Sequence, residues 1–239
     1  MRLDKLLSET GYGSRRQVKK LIKGKQVRID GELILTDNYN ADSQLQEILV
    51  AGKKVTHNTH VYYMLNKPNG VVSAVRDEEN QTVLDLLAPE DIRVGLFPVG
   101  RLDKDTEGLL LITDNGQLAH QLLVPHKEIF KTYEVKVNGL ATTEDQEAFD
   151  KGIIFHGDIQ CKPAKLTILA QSPIESHVLL SISEGKFHQV KKMFLSVGKK
   201  VTYLKRLTMG PLTLDEDLAV GTYRPLNQRE LDLLKPYFK

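Results

Sequence analysis

The 239-residue chain has a single cysteine, Cys161, so it forms no internal disulfide and offers no multi-cysteine zinc site. The role left to that residue is a small buried thiol. Long apolar runs are missing too. The opening stretch "MRLDKLLSET" lacks the apolar core of about 7–15 residues that marks a secretory signal. No segment approaches the roughly 18 apolar residues that a membrane span requires. The protein is therefore expected in the cytoplasm and off membranes. With 41% hydrophobic and 27% charged residues, it is expected to fold around one large core or two smaller ones.

Several common chemistries are absent as well. "GLFPVGRL" has the two glycines of a phosphate loop but Arg101-Leu102 where Lys and Ser or Thr are needed, so nucleotide binding is unsupported. No G-x-S-x-G nucleophile elbow occurs. His57 and His60 have no cysteine or carboxylate companions at ligand spacing, and no metal is expected. Asp103 and Asp105 bring a glycosidase pair to mind. Residues two apart on an extended segment face alike, however, and the flanking Arg101 and Lys104 would ionise both instead of keeping one protonated.

Acidic residues are missing from two stretches of a chain whose net charge is only +2. Arg15, Arg16, Lys19, Lys20, Lys23, Lys25 and Arg28 form the first basic tract. Lys186, Lys191, Lys192, Lys199, Lys200, Lys205 and Arg206 form the second. Two separated basic tracts on a nearly neutral chain point to a polyanion held at two places, or else to two solvated helix faces.

The order of elements reads as α+β. Leu3, Leu6 and Leu7 make a short helical stripe that ends at Gly11. Ser14 and Gln17 form a capping box that opens a second helix, with Val18, Leu21 and Ile22 on its buried face and Gly24 at its end. Asp30-Gly31 then turns a hairpin between "QVRI" and "ELIL". This unit closes near residue 55, and "KKVTHNTH" reads as a linker, which divides the chain into domains 1–58 and 59–239. From Val61 on, "VYYMLNKP", "GLLLIT", "TYEVKV", "HVLLSIS" and "VTYLKRLTM" read as strands, while "QTVLDLLA", "GQLAHQLL" and "TEDQEAFDKG" read as helices. In "GKFHQVKKMFLSVG", Val190, Met193, Phe194 and Val197 form a helical stripe that leaves Lys191 and Lys192 on other faces. No internal repeat is apparent.

One stretch, "GRLDKDTEGLLLIT" (100–113), sets Asp103 and Asp105 between Arg101 and Lys104 and runs directly into Leu109–Ile112. Two readings fit it: a solvated turn before a strand covered on both faces, or a carboxylate held at the mouth of an apolar site with a cation to keep it ionised. The stretch closely resembles the catalytic motif of pseudouridine synthases. "MLNKPNGVVS", "HKEIFKTYEV", "SEGKFHQVKKMF" and "KRLTMGPLTL" also occur in that family's order and spacing between Val61 and Leu226. The N-terminal unit resembles the S4-like RNA-binding domain shared with a primary ribosomal protein of the small subunit. "HQVKKM" and "GTYRPL" are most similar to the branch of the family that modifies small-subunit (16S) ribosomal RNA. Large-subunit relatives more often show Arg where His188 and Lys191 stand.

The resemblance implies a mixed, mainly antiparallel sheet in the catalytic domain and isomerisation of a uridine in RNA to its C-glycoside, without metal or organic cofactor. It makes Asp103 the nucleophile, Lys191 its ionic partner, and Tyr133 the ring that stacks on the flipped-out uracil or assists proton transfer. Arg15, Arg16, Lys19, Lys20, Lys23, Arg101, Lys131, His188 and Lys192 are expected to hold RNA. The expected partner is ribosomal RNA within a small-subunit assembly intermediate, met by a monomer. Two alternatives stand beside this reading: the same reaction on large-subunit RNA, and a non-catalytic RNA-binding assembly protein.

Overall fold

The computed structural model describes residues 1–57, 60–155 and 159–238. Its N-terminal part follows the local signals closely. Helices α1 (Leu3–Glu9) and α2 (Arg15–Lys23) pack over a small sheet, and the Ser14/Gln17 capping box is formed. Asp30 and Gly31, both at positive φ, turn β1 (Val27–Ile29) into β2 (Glu32–Leu33), which is shorter than "ELIL" suggests. The sheet is completed by β3 (Ile48–Val50) and β4 (Lys53–Lys54) in the order β2-β1-β3-β4. "KKVTHNTH" is thus no simple linker. Its first two residues are β4, and Val55 is buried in the N-terminal core with Leu3, Ile22 and Ile48. The expected domain boundary, between residues 58 and 59, lies outside the described residues.

The remaining elements are β5 (Tyr62–Lys67), β6 (Phe97–Pro98), β7 (Glu107–Thr113), α3 (Gly116–Leu123), β8 (Lys131–Asn138), α4 (Thr143–Lys151), β9 (Ile154–Phe155), β10 (Ile159–Gln160), β11 (Lys165–Gln171), β12 (Glu175–Ile182), α5 (Gln189–Ser196), β13 (Val201–Met209), β14 (Leu212–Thr213), β15 (Tyr223–Pro225) and α6 (Gln228–Leu234). A nine-stranded sheet runs β11-β12-β8-β13-β7-β5-β15, with β14 on β13 and β6 on β7. Every pairing in it is antiparallel except β13 with β7. The fold is α+β with a mixed sheet, as the motif order implied.

Alternation along β7 explains its four consecutive aliphatics. Leu110 and Ile112 enter one core with Tyr133, Leu180 and Leu204 of neighbouring strands and Val190, Met193 and Phe194 of α5. Leu109 and Leu111 enter the core on the other face, with Leu118 and Leu122 of α3 and Leu231 and Leu234 of α6. Leu45, from the segment that follows the N-terminal hairpin, packs in this second core. Asp42 accepts hydrogen bonds from the Tyr62 hydroxyl and, at 3.1 Å, from the Asn115 amide.

One expected helix is absent. "QTVLDLLA" buries Val83, Leu84 and Leu87 but folds as consecutive turns closed by i→i+3 contacts such as Leu87 N–H to Leu84 O at 3.1 Å. Thr82 and Asp85 close a local side-chain turn, and Pro89 pushes Ala88 to extended backbone (ψ 144°), so no helix propagates. The segment has burial at helical spacing without helical hydrogen bonding.

Candidate active site

Asp103 lies on the turn that leads into β7, and the turn is tied down on every side. Leu102 exchanges two hydrogen bonds with the Ser73 hydroxyl, 2.9 and 3.1 Å, just before it. Gly70 N–H donates to Lys104 O at 2.8 Å, and Thr106 N–H donates to Asp103 O at 3.0 Å. Beneath the turn, the fully buried Lys67 donates from Nζ to the carbonyls of Pro68 (3.0 Å), Lys104 (3.2 Å) and Thr106 (2.9 Å). Burial pushes this amine down to about 8, against the pull of Asp105 and Asp103. Gly108 closes the arrangement. At φ +98° its Cβ would stand 2.3 Å from Arg206 O, so only glycine lets β7 meet β13 there.

Opposite the turn, α5 brings Lys191 to both aspartates. Its Nζ is 2.5 Å from Asp105 Oδ1 and 3.2 Å from Asp103 Oδ2. Burial opposes the Lys191 charge, but hydrogen bonds to Asp105 and Asp103 override it and hold the amine above its ordinary value. Asp105 likewise sits below the usual carboxylate range: its burial works the other way and is outweighed by Lys191. His188, at φ 53° just before α5, places Nε2 3.6 Å from Asp103 Oδ1. Its ring stacks on Phe187 at 3.8 Å.

Asp103, Lys191, His188 and Phe187 line one cleft of about 330 Å³ together with Tyr133 of β8 and Arg101, and Asp105 lies outside its lining. That volume is within the range of small-molecule sites, about 300–1,000 Å³. Tyr133 is buried, and Leu204 and Ile182 line the cleft with it. The exposed Arg101 makes no ion pair with Asp103 or Asp105 among the described residues, so it is not their local partner. The structure thus brings Asp103, Tyr133, His188, Lys191 and Arg101 together. Lys131 stands apart, almost fully buried, in an adjoining cavity.

The two basic tracts differ. Arg15, Arg16, Lys19, Lys20 and Lys23 are all exposed along α2, although Lys19 is held by Asp37 at 2.7 Å. In the second tract Lys186 pairs with Glu184, Lys191 with the aspartates, and Lys199 with Asp145 at 2.6 Å, so it is no open basic face. Lys192 lies over the Phe187 ring at 5.0 Å. Sequence reasoning overlooks Lys67 and the equal claim of Asp105 on Lys191. A lysine inside an otherwise uncharged strand, "VYYMLNKP", is the available signal for the first.

Residues 61–196 match the RNA pseudouridylate synthase family model, and residues 1–43 match the S4 domain. A mixed sheet carrying this cleft, next to an RNA-binding module, is the architecture of an RNA-modifying isomerase: the chain belongs to the RNA pseudouridine synthase family. An uncharacterized RNA pseudouridine synthase of Bacillus subtilis (strain 168) is 48% identical over 234 residues, which cover 98% of each chain. The ribosomal small subunit pseudouridine synthase A of Escherichia coli (strain K12) is 37% identical over 97% of this chain and 98% of its own. A crystal structure of a pseudouridylate synthase, 37% identical, superposes over 98% of this chain and 99% of that one with a TM-score of 0.68.

Proposed function

We propose that the protein isomerises one uridine of small-subunit (16S) ribosomal RNA, with Asp103 as the nucleophile. The reaction breaks the N1–C1′ bond, turns the uracil and joins C5 to C1′. The proton on C5 is then released and N1 regains one, so nothing is oxidised and no co-substrate is consumed. The observation that carries the reading is the Asp103–Lys191 contact of 3.2 Å in a cleft walled by Tyr133. Lys191 sets a positive charge beside the Asp103 carboxylate, and the clamped turn aims it. Attack at ribose C1′ or on the base forms the covalent intermediate. Tyr133 stacks on the uracil once it has left its helix, at a cost of roughly a few kcal/mol that basic side chains on neighbouring phosphates offset.

Similarity to the small-subunit enzymes, over nearly the whole of both chains, supports the ribosomal target. RNA is held by the exposed cations of α2, by Arg101 and His188 at the cleft and by Lys192 beside it, and residues 1–58 form the docking domain. The substrate is an assembly intermediate of the small subunit, met in the cytoplasm by a monomer. Two experiments test the reading. Pseudouridine mapping in ribosomal RNA from cells lacking the protein should show one small-subunit position unmodified. Asp103→Asn, nearly isosteric, should release no tritium from C5-labelled uridine RNA while binding that RNA normally. Substantial release would rule out Asp103 as the nucleophile.

A further inference from the structure

Beside the catalytic cleft lies a second cavity of about 410 Å³, sharing Tyr133 and the rim residues Gly100, Arg101, Gly185 and Lys186 with it. Its charged lining is lopsided: Arg101, Lys131, Lys186 and Arg206 against the single carboxylate Glu184. That carboxylate is already engaged by Lys186, by Gln189 Nε2 at 2.9 Å and by Lys162 N–H at 3.1 Å. Lys131 and Arg206 are the deep pair, 9% and 2% exposed. Lys131 Nζ donates to Ile129 O at 3.0 Å, and Arg206 Nε donates to Leu109 O at 2.8 Å. Neither meets a carboxylate among the described residues, and Arg206 Nη2 is buried without a hydrogen-bond partner. Burial, and then the charge of Arg206, push the Lys131 amine down to about 8.

Two neighbouring cations buried without an acid are costly, because desolvation and mutual repulsion both act against them. An incoming anion removes both costs, and its charge-assisted hydrogen bonds are strong in such a setting. We propose that this side cavity receives a backbone phosphodiester adjoining the target uridine, gripped by Lys131 and Arg206. The inference rests on the proposed entry of an RNA uridine into the cleft. A nucleotide seated against Tyr133 carries its phosphate on the same short chain, and the shared rim at Gly100 and Gly185 has no side chain to bar its path into the side cavity. The grip fixes the ribose relative to Asp103 and draws the strand in after the flipped base.

Calorimetry with the full-length protein tests this, using uridine, uridine 5′-monophosphate and uridine 3′-monophosphate as probes. One of the monophosphates should bind at least tenfold more tightly than uridine. Lys131→Gln should erase that advantage while binding uridine itself unchanged, and Lys131→Arg should retain it. Thermal melts check that both variants fold, and the comparison of the monophosphates with uridine on the unaltered protein keeps the proposal falsifiable should the Gln variant not. The absence of a phosphate advantage in the unaltered protein, or an advantage that survives Lys131→Gln, would overturn the site. So would a Lys131→Gln variant whose only defect is in turnover of saturating RNA, because that assigns Lys131 to the detached base. None of these measurements depends on which RNA is modified, so an unchanged pseudouridine map would refute the proposed function by a separate route.

Discussion

At Lys191 one ammonium group is shared by Asp103 and Asp105, at 3.2 and 2.5 Å, so the two carboxylates compete for the same charge. Removing that charge and removing the competitor should therefore have opposite consequences. Lys191→Met leaves two carboxylates facing each other, and single-turnover rates on RNA should fall by about 10²–10³, the usual cost of removing an electrostatic partner, with affinity little changed. Asp105→Asn frees Lys191 for Asp103, and turnover should stay within about tenfold of the unaltered enzyme. A loss as deep as that of Asp103→Asn would make Asp105 the essential acid. Tyr133→Phe keeps the ring and loses the hydroxyl, so near-normal turnover leaves stacking as the role of Tyr133. These side chains are legible in the sequence because each stands in a short motif. The sharing of Lys191 is not, since it depends on how α5 sits over the β7 turn.

Elements are legible where their signals are local. The Ser14/Gln17 capping box, the Asp30-Gly31 turn and the α5 stripe all form as read, because each is closed by residues within one or two turns of chain. "QTVLDLLA" fails because Val83, Leu84 and Leu87 are buried by tertiary contacts that make no demand on helical hydrogen bonding, and Pro89 ends the segment. Lys67 is illegible for a related reason: its partners are carbonyls delivered by another segment. Lys67→Met should leave the Pro68 and Thr106 carbonyls without this donor, at about 1–3 kcal/mol each, while Lys104 O keeps Gly70 N–H. The Asp103 turn then loosens, and urea titration should show a loss of about 2 kcal/mol or more. The difference from the unaltered protein should also depend on pH. With the buried amine lowered to about 8 from its ordinary 10.5, the unfolded chain holds a proton between those values that the folded chain does not, so the native state gains stability as pH rises through that window. Comparing urea midpoints of the two proteins at pH 7.5 and pH 10 cancels the other titrations, and the gap should widen. A gap that narrows would mean that the lysine is not held at a lowered value.

For the whole molecule, the N-terminal unit is more than an appendage. The sequence alone suggests that a chain beginning at residue 59 keeps a folded catalytic region, but such a chain lacks the Asp42 acceptor of Tyr62 and Asn115 and the Leu45 side chain of the second core. Without that cover the apolar surface under Leu45 opens to water and the Tyr62 hydroxyl loses its acceptor, so calorimetry should show such a chain melting well below the full protein, and Asp42→Ala should reproduce part of the drop. Identical melting would show the two parts to be independent. The proposed role of α2 in holding RNA is therefore better tested in place. Replacing Arg15, Arg16, Lys20 and Lys23 by Gln should flatten the slope of log affinity against log salt by about 0.7–0.9 for each phosphate no longer neutralised, and an unchanged slope would mean that α2 is only solvated. The second core also joins Leu45 to Leu231 and Leu234, from opposite ends of the described chain. During synthesis the N-terminal unit, whose core is built from its own residues, leaves the ribosome ahead of the catalytic region. In the catalytic half α3 already lies over Leu109 and Leu111, but the part of that face covered by Leu231 and Leu234 stays open until α6 leaves the ribosome. A nascent chain can thus close its N-terminal core well before α6 is made and folds back to seal the catalytic sheet.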